Sequence, residues 1–403
     1  SEASSFFYPS VCLSGVISSM ARLPEWISFL KVRGSYTEVG TSFERFITRP
    51  TYEFNIASGK WSSTSIYPMR NLKPEKTRSW EFGLNSKWLD NRLSFDLTYY
   101  KSNTINQTFT ADLSISSGYS KAYIQSGNVR NEGIEMALGY SDKWNGFAWD
   151  SHLTLSWNKN KIIKLTEGSI NPMTGEPITK DNYDMGQLGN LDARVKLYKG
   201  GSIGDVYATH RIKRDGNGNV FVSQEGKIEI ESVDEFKLGS ILPKTNMGWS
   251  NNFSYKGVNL GMTLTARFGG IALSGTQSVL DQYGVSQVTA NYRDTGGVPI
   301  NHGYVDTEKY FDTVKGYAAY YTYSATNVRL AELSLSYTLP KEWFRDKLRM
   351  TVGLVGKNLW MIYCKAPFDP EATASTQSNY YQSYDYFMQP TTRNLGFSVK
   401  LNF

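Results

Sequence analysis

The segment whose residue types are best suited to hold a metal ion is RDGNGNV at 214–220. Asp215, Asn217 and Asn219 occupy alternate positions, which is the spacing of the first three oxygen ligands in an EF-hand calcium loop. Val220 stands where that loop needs Gly, and Glu225 falls one residue before the position of the bidentate Glu. A structural calcium site on these three residues is one hypothesis, and a Gly/Asn-rich hairpin turn is the alternative.

Known enzyme signatures are absent from this sequence, and although acidic residues are plentiful enough to form a carboxylate pair, no pattern favours one. His152, His210 and His302 are too far apart for metal-ligand spacing. The sequence contains no nucleophile elbow, phosphate loop or dinucleotide fingerprint. We therefore expect a protein that is not an enzyme and that needs no cofactor, apart from the calcium hypothesis.

Two tyrosine-rich segments are candidates for ligand recognition. Exposed aromatic rings on a loop can stack on sugar rings or grip peptide side chains. They can equally pack the loop onto itself. The candidate residues are Tyr320, Tyr321, Tyr323, Tyr380, Tyr381, Tyr384 and Tyr386.

The elements that must position these segments are β-strands. In the last residues, Leu395, Phe397, Val399, Leu401 and Phe403 alternate with polar residues or Gly, so one face of a strand is apolar. The same alternation predicts about eleven strands. They lie at 11–17, 30–36, 80–85, 93–100, 134–140, 149–157, 247–255, 258–268, 331–337, 348–354 and 395–403.

The connections between these strands alternate in length. Short links are expected at 18–28, 90–91, 141–146, 256–257 and 340–347, and long links at 37–79, 101–133, 159–246, 269–327 and 361–394. Long loops are uncommon in compact soluble domains, whereas outer-membrane barrels have short periplasmic turns and long extracellular loops. The pattern predicts an all-β, antiparallel, up-and-down transmembrane β-barrel whose last strand descends to the periplasm.

Composition agrees with a membrane barrel. Aromatic residues make up 14% of the 403 residues and cluster near strand ends, as at membrane interfaces. No run of 18 apolar residues occurs, which excludes a transmembrane helix. The net charge of +6 is dispersed, so nucleic acid is not an expected partner. Cys12 and Cys364 predict no disulfide framework. A soluble sandwich with aromatic strand ends is the alternative.

Charged residues on the polar face of the strands should point into the lumen, where they can contact substrate or a plug. These residues are Arg33, Glu81, Asp96, Glu135, Arg267, Glu332, Arg349 and Lys400. Every backbone polar group in lipid needs a partner, so a barrel must close. An open sheet of about eleven strands, an odd number that ends in a descending strand, cannot span a membrane alone. We therefore expect this chain to be the C-terminal part of a larger barrel.

Six segments of the sequence carry a family resemblance. They are FLKVRGSYTEVG at 29–40, LKPEKTRSWEFGL at 72–84, SGNVRNEGIEMAL at 126–138, RLAELSLSYTLP at 329–340, GKNLW at 356–360 and DYFMQPTTRNLGFSVKLNF at 385–403. These segments resemble the SusC/RagA family of TonB-dependent outer-membrane transporters of Bacteroidetes, and they occur in family order over nearly the whole chain.

The resemblance implies a 22-stranded barrel with an N-terminal plug, of which residues 1–403 form about eleven C-terminal strands with long extracellular loops. By the same resemblance, the plug and the first half of the barrel are expected to lie outside residues 1–403. The implied partners are that N-terminal half, a SusD-like surface lipoprotein over the mouth, TonB through the N-terminal part, and outer-membrane lipid. The loop tyrosines then gain a third role, as the interface to the lipoprotein.

The aromatic terminal strand, with Phe397, Val399, Leu401 and Phe403, also resembles the recognition signal for barrel assembly. The expected function is active import of oligosaccharides or oligopeptides across the bacterial outer membrane as part of a SusCD-type complex energised by TonB. A passive porin or adhesin barrel is one alternative. A secreted carbohydrate-binding β domain is the other.

Overall fold

The computed structural model describes residues 7–41, 52–63, 66–67, 73–112, 119–165, 175, 182–301, 303–345, 347–372 and 382–402. The chain forms two compact units. The first consists of Ser1–Gly139, Ser156–Tyr183 and Leu197–Ile203. The second consists of Tyr140–Leu155, Asp184–Lys196 and Gly204–Phe403.

Strands dominate the described part of the chain. The elements up to residue 164 are β1 (Ser10–Val16), α1 (Ile17–Met20), β2 (Ile27–Thr41), β3 (Tyr52–Asn55), β4 (Lys60–Ser63), β5 (Ile66–Tyr67), β6 (Glu75–Trp88), β7 (Leu93–Asp112), β8 (Lys121–Trp144) and β9 (Phe147–Lys164). Those up to residue 268 are β10 (Asn182–Gln187), β11 (Arg194–Tyr198), β12 (Asp205–Ile212), β13 (Ile230–Ser240), β14 (Thr245–Tyr255) and β15 (Val258–Phe268).

Helices appear mainly in the last third. The remaining elements are β16 (Ile271–Ser274), α2 (Gly275–Gln282), α3 (Gln287–Asp294), β17 (Val298–Ile300), β18 (Gly303–Val305), α4 (Thr307–Val314), β19 (Thr322–Ser324), β20 (Asn327–Thr338), a 3-10 helix (Lys341–Phe344), β21 (Arg349–Cys364), β22 (Tyr384–Asp385) and β23 (Asn394–Asn402). None of the helices in the described ranges is long and apolar enough to cross a membrane.

A 12-stranded sheet contains all of the predicted strands. In the first unit its hydrogen-bonded order is β1-β2-β6-β7-β8-β9, with β5 paired to β8. The two units divide within β8 and β9, so each of these strands belongs partly to both units. In the second unit the order is β8-β9-β14-β15-β20-β21-β23. Consecutive long strands pair antiparallel, as in β2 with β6 and β20 with β21. The predicted all-β, antiparallel, up-and-down fold is confirmed.

Two of the predicted short links, at 141–146 and 256–257, contain tight turns with a defined backbone conformation, whereas those at 18–28 and 340–347 contain helical residues. Asn145 and Gly146 join β8 to β9 with φ values of 49° and 81°, and Lys256 and Gly257 join β14 to β15 with φ values of 45° and 86°. Positive φ at both central residues is the type I′ turn, whose twist matches that of the flanking strands. Gly is favoured at the second position because it adopts positive φ without steric strain.

One face of the large sheet is apolar and exposed. In the second unit, Leu260, Leu335, Leu354 and Phe397 lie side by side on four adjacent strands. Leu335 is 50% exposed and Leu354 is 66% exposed. In the first unit, Leu13, Phe82 and Tyr99 occupy one row with Gly34 between the first two, and all three are exposed. Rows of exposed apolar side chains across consecutive strands fit contact with lipid better than contact with water.

The main hydrophobic core lies in the connections of the second unit, outside the large sheet. It is formed by β10-β11-β12-β13, by β19-β16-β22 and by the helices between β16 and β19. Its largest fully buried side chains include Tyr321, Phe311 and Leu191. Burial of such a side chain stabilises the fold by roughly 1.5–3 kcal/mol.

The long links differ from the sequence prediction in their content. The expected loop at 101–133 is largely strand, because β7 extends to Asp112 and β8 begins at Lys121. The links at 159–246 and 269–327 contain strands, and the second also contains three helices. Alternation of apolar and polar residues does not reveal these extensions. A strand whose two faces have the same environment, both half-buried or both exposed to water, needs no period-2 apolar pattern.

Candidate functional site

A cavity of about 480 Å³ in the second unit is the best candidate for a binding site. It opens between the hairpin of β12 and β13 and the segment that joins α4 to β19. Its volume lies within the range of small-molecule sites. The lining residues are Arg211, Ile212, Arg214, Asp215, Ile230, Glu231, Val314, Tyr317, Ala319 and Tyr320.

The first wall is a β-hairpin that continues beyond β12 and β13. Isolated bridges join Arg214 to Val220 and Val222 to Ile228, so the chain between β12 and β13 makes two tight turns, at 215–219 and at 223–227. Asn301 secures this hairpin, because its side-chain amide accepts from the Val220 N–H at 3.0 Å and donates to the Val220 carbonyl at 2.9 Å. The hairpin carries the two arginines of the cavity, Arg211 and Arg214.

The second wall follows α4. The carboxylate of Asp306 caps this helix by accepting a hydrogen bond from the Lys309 N–H at 3.0 Å. Val314, in the last turn, is fully buried, and Tyr320 packs with its ring centroid 6.1 Å from that of Phe311 and 4.9 Å from that of Tyr321. The hydrophobic core therefore fixes the aromatic wall from behind.

Asp192 connects the two walls. One carboxylate oxygen accepts a hydrogen bond from the Ala318 N–H at 2.6 Å, and the other is hydrogen-bonded to His210 Nδ1 at 3.0 Å. The Asp192 N–H donates to the Gly316 carbonyl at 2.8 Å. The ring of His210 lies 5.3 Å from that of Tyr317, centroid to centroid. One carboxylate thus positions the hairpin and the tyrosine segment together.

Paired and unpaired polar groups meet at the mouth of the cavity. Arg211 Nε donates to Glu231 Oε1 at 2.6 Å, and Arg214 Nη1 donates to the Gly218 carbonyl at 2.8 Å. Among the described residues, the other nitrogens of these two guanidinium groups have no hydrogen-bond partner. Planar guanidinium groups suit carboxylate and similar oxygen-rich groups. The arrangement can bind a polar ligand.

The Asp215 turn has the geometry of the metal-free alternative. Asp215 Oδ1 accepts from the N–H groups of Asn217 and Asn219 at 2.8 and 2.9 Å, and Oδ2 accepts from Asn219 Nδ2 at 3.2 Å. The hydrogen bonds from Asn219 hold the pKa of the Asp215 carboxyl below its usual range. Both carboxylate oxygens accept hydrogen bonds within the turn, as the Gly/Asn-rich hairpin alternative describes. The calcium site on Asp215, Asn217 and Asn219 stays a prediction.

The predicted aromatic residues have different environments. Tyr320 lines the cavity and Tyr386 is exposed. Tyr321 and Tyr384 are buried in the core, and Tyr323 packs against that core. Burial raises the pKa of Tyr323 to about 12. Tyr321 and Tyr384 therefore pack the connecting segments onto themselves, which is one of the roles considered for these tyrosines. Tyr380 and Tyr381 lie outside the described residues.

Some of the predicted lumen charges contact other strands of the sheet. In the first unit, Arg33 Nη2 lies 3.4 Å from Asp96 Oδ1 and donates to Thr98 Oγ1 at 2.6 Å. In the second unit, Glu332 lies 3.8 Å from Lys357. These contacts link neighbouring strands, and a role toward substrate or plug stays a prediction.

The other predicted lumen charges have different surroundings. Arg267 is half-buried and donates to the Ile241 carbonyl at 3.5 Å. The remaining four side chains are exposed: Glu81, Glu135, Arg349 and Lys400.

The terminal strand lies at an edge of the large sheet. β23 pairs with β21, and Phe397, Val399 and Leu401 are exposed. Phe403, the fourth residue of the predicted assembly signal, lies outside the described residues. In the first unit, β1 is likewise an edge strand that pairs with β2. Within the described ranges neither edge has a second partner strand.

Sequence reasoning missed most of the cavity. It identified Tyr320 and Asp215, which the fold brings to the same cavity. It missed the two arginines and the residues that hold the walls, which are Asp192, His210, Arg211, Arg214, Glu231 and Tyr317. Asp192 and Ala318 are 126 positions apart, and no local pattern marks such a contact.

Comparison with known proteins identifies the family to which this chain belongs. Residues 21–359 match the family described as TonB dependent receptor-like, beta-barrel. The chain is 27% identical over 349 residues to TonB-dependent receptor P3 of Formosa agariphila, covering 83% of this chain and 34% of that protein. It is 22% identical over 325 residues to TonB-dependent receptor SusC of Bacteroides thetaiotaomicron, covering 77% of this chain and 31% of that protein.

Solved structures show the same fold. The RagAB peptide importer in its open-open state matches with a TM-score of 0.74 and 17% identity, over 98% of this chain and 42% of that chain. A further RagAB peptide transporter structure gives a TM-score of 0.73 and 18% identity, over 98% and 42% of the two chains.

The chain belongs to the TonB-dependent receptor β-barrel family, whose members are proteins of the bacterial outer membrane. The predicted resemblance to SusC and RagA is confirmed. The relatives are receptors and transporters, not enzymes. The chain spans 34% of the length of receptor P3 and 31% of the length of SusC.

Proposed function

We propose that this chain is part of an active importer that moves oligosaccharides or oligopeptides across the outer membrane. The observation that carries the proposal is the exposed apolar row Leu260–Leu335–Leu354–Phe397 in a chain of the TonB-dependent receptor family. Such a row belongs in lipid, and the polar face opposite it then lines an aqueous lumen. The cavity among the connections supplies a place for a ligand outside the sheet.

Closure of the barrel requires further strands. The edges of β1 and β23 would otherwise expose unpaired backbone groups to lipid. In our proposal they pair with the remaining strands of a 22-stranded barrel that also holds an N-terminal plug. The same N-terminal part contacts TonB.

A SusD-like surface lipoprotein is the proposed extracellular partner. Its support is the similarity to SusC and to the RagAB importer. Ligand and TonB each favour one of two states of lid and plug, so that binding opens the path by shifting a population. No covalent step is part of this function.

Deletion and complementation in the native cell test the proposal. Uptake of labelled oligosaccharide and oligopeptide mixtures is measured in the parent, in a deletion strain and after complementation with the full-length gene. We expect one of the two classes to lose uptake on deletion and to regain it on complementation. Unchanged uptake of both mixtures in the deletion strain contradicts the proposal.

A further inference from the structure

We propose that the cavity between the β12–β13 hairpin and the α4–β19 segment binds the carboxylate-bearing end of a small oligomer. The inference rests on the proposed import function and names the ligand chemistry of this site. It depends on three properties of the cavity: an excess of free donors, acceptors that are already occupied, and an aromatic wall beside them.

The free donors come from Arg211 and Arg214. Within the part of the chain that the structure describes, Arg211 uses Nε for Glu231 and leaves both terminal nitrogens without a partner. Arg214 uses Nη1 for the Gly218 carbonyl and leaves Nη2 and Nε without one. A guanidinium has five N–H donors and no acceptor. Two such groups at one cavity therefore call for a ligand that is rich in acceptors.

The acidic residues at the cavity offer fewer acceptors than their number suggests. Both oxygens of Asp215 accept hydrogen bonds within its own turn. Glu231, which is half-buried, has one oxygen bound to Arg211. A neutral ligand would find mostly donors here, whereas a carboxylate can accept from Arg211 and Arg214 with charge-assisted hydrogen bonds.

The aromatic wall determines what stands next to the carboxylate. Tyr317 and Tyr320 are half-buried and line the cavity together with Ile212, Ile230 and Val314. His210 and the core hold the tyrosine rings in place. A flat or apolar group beside the carboxylate can pack on these rings. The volume of about 480 Å³ admits one or two residues of an oligomer.

Two natural sources present this chemistry. One is the uronic acid of an acidic oligosaccharide, which joins a carboxylate to a sugar ring. The other is the C-terminal carboxylate of an oligopeptide with an apolar last residue. Both leave the rest of the oligomer free to extend from the cavity mouth.

Calorimetric titration of the purified full-length receptor in detergent tests the proposal. The sugar probes are trigalacturonic acid and its methyl ester. The peptide probes are Ala-Ala-Phe with a free and with an amidated C-terminus. We expect the free acid to bind at least about 10-fold more tightly than its neutral form in one arm or both, since hydrogen bonds to charged groups are the strong ones. The probe pair in which the free acid binds more tightly shows whether the ligand is an acidic sugar or a peptide C-terminus.

Substitution of the arginines provides the second measurement. The double variant R211Q/R214Q should lose about 10-fold or more in affinity for the responding acid. The matched control is Arg293→Gln, because Arg293 is also exposed and also donates to a turn carbonyl, that of Gly284 at 2.9 Å, but does not line the cavity. The control should bind like the parent protein, and heat-modifiable migration on gels checks that each variant is folded.

Three results overturn the inference. They are equal affinity for acid and neutral forms, no binding in either arm, and an equal loss in R211Q/R214Q and Arg293→Gln. Comparing acid with neutral probe on the parent protein gives an answer even where the double variant does not fold. The cellular uptake experiment tests import, and the titration tests binding at the cavity. Each proposal can therefore be contradicted without the other.

Discussion

At the scale of residues, Asp192 shows how one side chain can hold the two walls of a cavity together. Its two carboxylate oxygens hold the Ala318 N–H and the His210 ring, which belong to opposite walls of the cavity. A buried or half-buried carboxylate is well suited to this because it accepts several hydrogen bonds at once. Tyr317 gains its position through His210.

Removal of this carboxylate should loosen the tyrosine segment. For Asp192→Ala we expect the local free energy of opening at 316–318 to fall by about 1–3 kcal/mol, because the backbone donor at Ala318 loses its acceptor. Hydrogen-deuterium exchange of this segment measures the change. Asp184→Ala is the control, since Asp184 pairs with the exposed Arg194. Equal protection in the two variants contradicts the organising role of Asp192.

Asp281 carries a buried carboxyl group, and its ionisation lowers the stability of the fold. Burial raises its pKa, and hydrogen bonds from Ser286 and Gln277 offset that only in part. Because the folded pKa lies above the unfolded one, this group stabilises the fold below about pH 4, and the contribution is lost as pH rises through the folded pKa.

The variant Asp281→Asn should remove that pH dependence. Its amide oxygen still accepts from Gln277 and Ser286, which lie 2.7 and 2.5 Å from Asp281 Oδ1. We expect α2 to be more protected than in the parent protein at pH 7 and similarly protected at pH 4, after correction of exchange for intrinsic rates. Parallel pH profiles in the two proteins contradict a raised pKa at Asp281.

At the scale of elements, period-2 alternation located every long strand of the large sheet, because strands with one lipid-facing side need that pattern. The Asn145–Gly146 turn carries an equally local signature. The folded connections carry no such local signature. Their core joins residues far apart in sequence, as in the contact between Asn190 and Tyr384, which are 194 positions apart. The sequence alone does not distinguish an exposed tyrosine such as Tyr386 from a buried one such as Tyr321.

The two faces of β20 should respond differently to charge. Leu335 lies in the apolar row, and Ser336 lies in the opposite row with Asn259, Gly353 and Ser398. We expect Leu335→Arg to destabilise the barrel in lipid by about 2–4 kcal/mol and Ser336→Arg to have little effect. Urea-induced unfolding of the full-length protein in vesicles measures both. Similar unfolding midpoints for the two variants contradict the assignment of faces.

At the scale of the whole molecule, an exposed apolar face and unsatisfied sheet edges lead to the same conclusion. A soluble protein would need to cover both, whereas in the proposed barrel lipid covers the first and further strands cover the second. Family membership over residues 21–359 agrees with this interpretation. In our proposal, the cavity in the connections adds a ligand-binding site to the barrel wall.

Energy dependence of uptake tests the central claim most directly. Cells that produce the full-length receptor take up the labelled oligomer identified by the deletion experiment, and the initial rate is measured before and after a protonophore collapses the proton-motive force. An active importer predicts a fall to the rate of the deletion strain. A rate that stays unchanged after collapse contradicts TonB-driven import and indicates a passive pore.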